Sequence, residues 1–164
     1  MKIKTATEIV GGLSRPTKMP CSSYGLPTSA CIRGRKLAQV SGTVCEICYA
    51  DCRGNYRFDN VQKAQQFRLA SLRDPHWVEA MSTLLYFEDH MRWHDSGDLQ
   101  GRWHLNKIIE VAKNTPTTQH WLPTHEPKMV EGVALPPNLR LRISSDLVDE
   151  EAKTVGFLTS TVHT

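Results

Sequence analysis

Apolar residues recur at helical spacing in three stretches along the middle of the chain. They predict helices over 60–74, 74–90 and about 101–113, and Pro116 ends the third. Residues suited to capping stand at the start of the first two helices: Asp59 or Asn60 for one, and Asp74 followed by Pro75 for the other. The middle of the chain is therefore predicted to be mainly helical.

Short apolar runs between and after these helices predict strands at 91–94, 119–122 and 139–143. Each run ends in polar residues, and a helix or helical turn is expected to follow. Three successive units of this kind favour a parallel sheet with right-handed crossovers. The sequence therefore predicts one α/β domain over 1–164: a small parallel sheet or partial barrel of strand–helix repeats, preceded by a cysteine-rich loop region at 1–58.

The polar clusters that follow the three strands are candidate site residues. Carboxyl ends of parallel strands meet at one edge of a sheet, and ligands bind there in open and barrel-like α/β folds. The clusters are His94, Asp95, Ser96 and Asp98 after the first strand, Thr124, His125 and Glu126 after the second, and Ser144, Ser145 and Asp146 after the third. We expect all three to share one concave face.

The chemistry of these residues suggests their roles. We expect His94 and Asp95 to act as a catalytic proton-transfer pair, because a carboxylate can fix the tautomer of an imidazole. Ligand contacts are expected from Ser96, Thr124, His125, Glu126, Ser144 and Ser145. Asp98 is expected to cap the helix that follows it, and His90 and His104 to be ordinary surface or helix histidines. The alternative is that all three clusters are only helix caps.

All five cysteines of the 164-residue chain fall in its first third. Cys45-x2-Cys48 has the spacing with which two thiolates of one turn hold one ion or one cluster, and Cys52 follows soon after. Cys21 and Cys31 lie in a segment rich in Pro, Gly and Ser, which predicts a loop able to complete a four-thiolate site. The alternative is that some of the five are small buried apolar residues.

Four thiolates suit either a tetrahedral zinc ion or an iron–sulfur cluster, and the spacing does not choose between them. The start of the chain has no apolar signal core, and an odd number of cysteines does not pair off. We therefore expect a cytoplasmic protein that uses its cysteines for metal rather than for disulfides.

The net charge of +3 is mildly basic, and no run of Lys or Arg stands out. No apolar stretch approaches the roughly 18–20 residues of a membrane span, so a membrane partner is not expected. If nucleic acid or a host protein is the partner, the basic contacts are expected in CIRGRK and CRGNYR: Arg33, Arg35, Lys36, Arg53 and Arg57.

Six segments together resemble the phage gene product 88 family: LSRPTKMPC, VCEICYA, NVQKAQQFRL, RWHDSGDLQ, WLPTHE and RISSDLVDE. The resemblance covers nearly the whole chain, about 13–163. It implies a phage protein acting in the host cytoplasm. Members of the family continue past TSTVH into another cysteine-rich stretch, so the resemblance implies either a short member or one without that stretch and any ligands it carries.

A more distant resemblance concerns chemistry. C-x2-C-Y-A before strand–helix repeats is similar to radical S-adenosylmethionine enzymes, which carry a four-iron, four-sulfur cluster at the open end of a partial barrel. Their motif is C-x3-C-x2-C, whereas the order here is reversed, Cys45-x2-Cys48-x3-Cys52. The resemblance implies an iron–sulfur protein acting on a nucleotide, nucleic acid or protein. Two alternatives remain: a zinc module that engages nucleic acid or a host protein, and a host-takeover protein without chemistry.

Overall fold

The parallel sheet is the centre of the computed structural model, which describes residues 1–51, 53–153 and 156–163. Its five strands all run in the same direction and lie side by side in chain order. They are β1 (Ser22–Tyr24), β2 (His90–Trp93), β3 (Gln119–Thr124), β4 (Leu139–Ser144) and β5 (Leu158–Ser160). The predicted α/β fold with a parallel sheet is confirmed.

Helices connect or precede these strands. They are α1 (Ile3–Val10), α2 (Arg33–Leu37), α3 (Asp59–Ser71), α4 (Trp77–Leu85), α5 (Arg102–Asn114) and α6 (Pro127–Val130). Short 3-10 turns cover Thr28–Ala30 and Gly54–Arg57. None of the helices in the described part of the chain has the length and apolar character needed to cross a membrane.

The sheet has two different faces. Right-handed crossovers that always step to the next strand place the connecting helices on one side. On that side Met91, Trp93, Leu122 and Leu141 are buried in a core shared with α1, α4 and α5. On the opposite side, which we call the open face, side chains such as Trp121 remain exposed. The alternating burial along β3 and β4 follows from this difference.

Buried aromatic rings hold the helices against the sheet. Tyr24 of β1 makes edge contacts with Trp77 of α4 and with Trp93 of β2, at centroid distances of 5.9 and 6.4 Å. The Tyr24 hydroxyl donates a hydrogen bond of 2.8 Å to the carbonyl of Val10, at the end of α1. The polar tip of the ring is therefore satisfied inside the core.

The starts of two helices differ from their prediction. α3 begins at Asp59, and the preceding Phe58 makes no side-chain cap. α4 begins at Trp77 and ends at Leu85, so it is shorter than predicted. The Asp74 carboxylate accepts a hydrogen bond of 2.7 Å from the His76 amide, which forms a turn before the helix rather than a cap on it.

Two strands were not predicted. β1 and β5 have three residues each, too few to show an alternating pattern, and β1 lies in the Pro- and Gly-rich stretch that predicted a loop. The helical turn expected after β4 is not formed: residues 145–150 make turns, and Leu147 forms an isolated bridge with Thr43. These elements form because their backbones pair with neighbouring segments, and sequence spacing does not reveal such pairing.

Candidate functional site

The three polar clusters lie at the carboxyl edge of the sheet, each beginning at or directly after the end of its strand. Asp98 connects the first cluster to the second. Its carboxylate accepts hydrogen bonds from the Thr124 hydroxyl at 2.6 Å and from the His125 backbone N–H at 2.8 Å. Asp146 connects the third cluster to the second, with its Oδ1 3.6 Å from Nδ1 of His125. The clusters therefore form one continuous site.

Asp98 does not cap the following helix, so that prediction is wrong. α5 starts after Gly101, whose φ is 138°, and no side chain caps it. Asp98 is instead 5% exposed and accepts bonds from Thr124, His125 and its neighbour Leu99. A buried carboxylate needs several donors, and the end of the adjacent strand supplies them.

The cysteine-rich segment is fastened over this edge. The backbone N–H of Arg33 donates a 2.7 Å hydrogen bond to Glu126, and its guanidinium forms a salt bridge with Asp146. The Val44 N–H donates to the carbonyl of Asp146 at 3.0 Å. Burial raises the pKa of Glu126, an effect that the Arg33 amide opposes. The loops that carry the cysteines therefore lie on the second and third clusters.

Cys31, Cys45 and Cys48 gather in this covering segment. A Cβ atom built on Gly34 would lie 3.7 Å from the Cys31 sulfur and 3.5 Å from the Cys45 sulfur, so the two thiols face one another across a glycine. Burial is the main cause that raises the pKa of Cys31 to about 12, followed by the charges of Asp98, Cys48 and Cys45. Burial is also the main cause that raises the pKa of Cys45 to about 11, followed by the charges of Cys48, Asp98 and Asp146, which Arg33 opposes. The charge of Cys48 therefore acts on the thiols of both Cys31 and Cys45.

The thiols are not in the geometry of ligands to a single ion. Among residues 1–51, 53–153 and 156–163, no three or more His, Cys, Asp or Glu side chains are arranged to hold one metal ion. A tetrahedral zinc with Zn–S bonds of about 2.3 Å needs its sulfurs about 3.8 Å apart. Cys31, Cys45 and Cys48 therefore lie near one another without forming such an arrangement.

Cys21 lies in a different part of the fold. Cys21 directly precedes β1 and therefore lies at the amino edge of the sheet, opposite the clusters. Burial raises its pKa, and its charged neighbours are Arg92 and Glu88, not the other thiols. The structure thus does not bring Cys21 together with Cys31, Cys45 and Cys48. The prediction for Cys52 lies outside the described residues.

His94 and Asp95 are both buried at the end of β2. His94 has a φ of 54°, a left-handed conformation that is uncommon for a residue with a side chain. Neither of its ring nitrogens has a hydrogen-bond partner, so Asp95 does not fix the tautomer of His94 as the sequence predicted, and burial lowers the pKa of His94. Its ring lies 5.3 Å from that of His104, which belongs to the helix α5, as expected, but is fully buried rather than at the surface. Strain and unsatisfied nitrogens are typical of a functional position.

Two tyrosines that the sequence did not single out close over Asp95. The Tyr49 hydroxyl donates to the Asp95 carbonyl at 2.5 Å, and the Tyr56 hydroxyl donates to its carboxylate Oδ2 at 3.0 Å. The other carboxylate oxygen, Oδ1, is buried without a partner. Tyr49 follows Cys48 directly, so the thiol segment and the first cluster are adjacent. In the sequence, only the Tyr of the C-x2-C-Y motif could have pointed to this role of Tyr49.

The predicted serines have structural partners. Ser96 donates to the carbonyl of Leu26 at 2.8 Å and accepts a bond from Gln65 at 2.7 Å. The Ser145 hydroxyl donates to the carbonyl of Leu147 at 3.0 Å and accepts from the N–H of Leu147 at 3.3 Å. Ser144 ends β4, paired with Ser160. These bonds use the hydroxyl groups of Ser96 and Ser145 within the protein, and a ligand-binding role for the three serines stays a prediction.

Comparison with known proteins establishes the lineage. The family model of gene product 88 matches residues 2–161, so the chain belongs to this phage protein family. No curated protein and no solved structure matches the chain.

Proposed function

We propose that this phage protein is an iron–sulfur protein whose four-iron, four-sulfur cluster is bound by Cys31, Cys45 and Cys48. The observation that supports it most is the gathering of these three thiols over the carboxyl edge of a parallel sheet. Burial and the carboxylates Asp98, Glu126 and Asp146 disfavour free thiolates here, so the cysteines would be deprotonated only with a cationic core bound beside them.

Radical-SAM-like architecture is the finer part of the proposal. A sheet whose strands follow one another in chain order is built like a section of a barrel. Three thiolates on a four-iron core leave one iron without a cysteine, which is the property that S-adenosylmethionine binding needs. Calorimetric titration of S-adenosylmethionine into cluster-loaded protein tests this part, and absence of binding by loaded protein rejects it.

His94 and Asp95 are the proposed catalytic pair, acting on a nucleotide, nucleic acid or protein substrate. Asp95 is held by Tyr56, and both residues lie beside the thiol segment. Burial lowers the pKa of His94, so its imidazole is neutral near pH 7 and can accept a proton. The His94→Gln variant tests its role once a substrate-dependent signal is found, with exposed His90→Gln as the control.

Metal and sulfide analysis of protein purified without oxygen tests the central proposal. We expect brown protein with iron and acid-labile sulfide in equal amounts. Cys48→Ser should lower both together with thermal stability, because metal binding contributes to folding. Colourless wild-type protein without iron would reject the proposal, as would full iron content in Cys48→Ser.

A zinc-binding module that engages nucleic acid or a host protein is the alternative. It is favoured by four basic side chains that are exposed around the thiol segment: Arg35, Lys36, Arg53 and Arg57. Arg33 is less suited to this role than proposed from the sequence, because it is paired with Asp146. Colourless protein with stoichiometric zinc would support this alternative. Under both proposals the protein acts in the host cytoplasm.

A further inference from the structure

One row of side chains crosses the open face of the sheet. Ser23, Arg92, Trp121 and Arg140 are register partners on β1, β2, β3 and β4. Register partners in a parallel sheet point to the same side. Trp121 is 39% exposed and Arg140 is exposed, so the row is accessible at its centre and at its β4 end.

The open face carries positive charge without acidic neighbours in the strands. Arg142 stands two residues after Arg140 on the same side of β4, and the five strands contain no Asp or Glu. The interior of a closed barrel is instead packed with branched apolar side chains. Arginines around an exposed indole ring are unsuited to such a core and suited to an anionic, flat ligand.

Two of these side chains are held in position. The Arg92 guanidinium lies 4.5 Å from the centre of the Trp121 ring, which keeps the indole in place. Arg142 donates a 2.8 Å hydrogen bond to the Thr159 carbonyl of β5, which fixes its guanidinium and leaves other N–H donors.

The same row contains polar atoms without partners. Ser23 Oγ and Arg92 Nε are both buried and make no hydrogen bond, and they belong to register partners on adjacent strands. Buried polar atoms are normally satisfied, so this unmatched pair marks a departure from ordinary packing at the β1–β2 end of the open face.

We propose that the open face binds single-stranded nucleic acid, with a base against Trp121 and phosphates at Arg140 and Arg142. Sheet faces that combine an aromatic platform with basic side chains bind single strands by stacking and charge. An acidic peptide would use the arginines but not the indole surface, and a duplex keeps its bases stacked inside. This binding does not depend on the proposed metal centre.

Fluorescence anisotropy with a labelled 12-nucleotide oligothymidylate tests the proposal. We expect Trp121→Ala to weaken binding about 5- to 150-fold, the range for one lost base–aromatic stack. Arg140→Ala should weaken binding and reduce the slope of log affinity against log salt by about 0.7, since one phosphate contact is lost.

Arg73→Ala is the matched control for charge. Arg73 is exposed like Arg140, but it belongs to the helical layer, where it stacks on Trp103. The Arg73→Ala variant should bind the oligonucleotide like the wild type. Equal losses in Arg73→Ala and Arg140→Ala, or unchanged binding in Trp121→Ala, would overturn the proposal.

Two further measurements exclude other occupants. If poly-glutamate or duplex DNA competes as strongly as the unlabelled single strand, the proposal is overturned, because the face would then be a general anion-binding surface. A wild-type dimer that Trp121→Ala converts to a monomer in sedimentation would overturn it in favour of self-association. Metal content measured for each variant separates a failure here from a failure of the proposed cluster.

Discussion

Arg33 and Asp146 form a salt bridge between residues 113 positions apart, and this contact fastens the thiol segment to the end of β4. The two side chains are 41% and 35% exposed, so the pair adds little to global stability. Its position matters more than its energy, because Cys31 and Cys45 lie on either side of Arg33 in the chain. The salt bridge should therefore control the order of the thiol loops.

The first prediction concerns this contact. Arg33→Ala should lower the free energy of unfolding by at most about 1 kcal/mol. It should nevertheless increase hydrogen exchange of the amides between Cys31 and Cys48, because the loop loses an anchor. Lys36→Ala, at an exposed position of the same helix, is the control. Equal exchange in the two variants would show that the salt bridge does not order the segment.

The second prediction separates the cysteines. Cys31→Ser should lose metal together with stability, whereas Cys21→Ser should retain wild-type metal content, since Cys21 lies at the amino edge of the sheet. Metal analysis on both variants, with circular dichroism to check folding, makes the comparison. Loss of metal in Cys21→Ser would restore the four-thiolate site expected from the sequence and reject the three-thiol arrangement.

The third prediction concerns Asp98. Thr124→Val removes the hydroxyl that donates to Asp98 at 2.6 Å and keeps the volume of the side chain. A buried carboxylate oxygen then loses a donor, at an expected cost of about 1–3 kcal/mol in chemical denaturation. Thr7→Val is the control, because Thr7 is exposed and its hydroxyl bonds only its own helix. A similar loss of unfolding free energy in both variants would show that the hydrogen bond to Asp98 contributes no more than an exposed one.

The sequence predicted the repeated architecture better than the connections within the site. Three strands and the edge they share could be predicted because β2, β3 and β4 have apolar runs that end in polar residues. The sequence predicts a helix cap at Asp98 because spacing identifies neighbours along the chain, not the strand that lies alongside. It predicts a surface contact at Arg33 for the same reason, since the partner of Arg33 is distant in sequence. The burial of His104 likewise depends on α5 packing against Trp77, which no local pattern reveals.

The fourth prediction compares two glycines with similar backbone angles. Gly97 and Gly132 have φ of 75° and 68°, so alanine is strained at both. Only at Gly97 would a Cβ also collide, at 2.6 Å from the Leu26 Cβ and 2.7 Å from its carbonyl oxygen. Gly97→Ala should therefore lower stability by at least about 2 kcal/mol more than Gly132→Ala. Equal melting temperatures for the two would contradict the close approach of the first cluster to Leu26.

The last prediction is a pH dependence from His120, which is 1% exposed and stacked on Trp93. Trp93 Nε1 donates to His120 Nδ1 at 3.2 Å, and His120 Nε2 lies 2.9 Å from the Thr115 hydroxyl, which itself donates to the Val111 carbonyl. The first contact requires an unprotonated Nδ1, and the second places the proton of the neutral ring on Nε2.

Burial lowers the pKa of His120 from 6.5 to about 4. The unfolded chain takes up a proton below pH 6.5 while the folded protein does not, so stability is fully present above that pH and is lost as the pH falls towards 4. The loss should total about 3 kcal/mol. His94 and His104, whose pKa values burial also lowers, should add to the wild-type slope.

Urea unfolding at intervals between pH 7 and pH 4 measures the effect. His120→Gln will be less stable at neutral pH, but its free energy of unfolding should fall less steeply through this range than that of the wild type, because one titrating group is gone. Exposed His76→Gln should keep the wild-type slope. Parallel slopes for wild type and His120→Gln would mean that the buried imidazole does not titrate with folding, and the assigned hydrogen bonds to Trp93 and Thr115 would then be wrong.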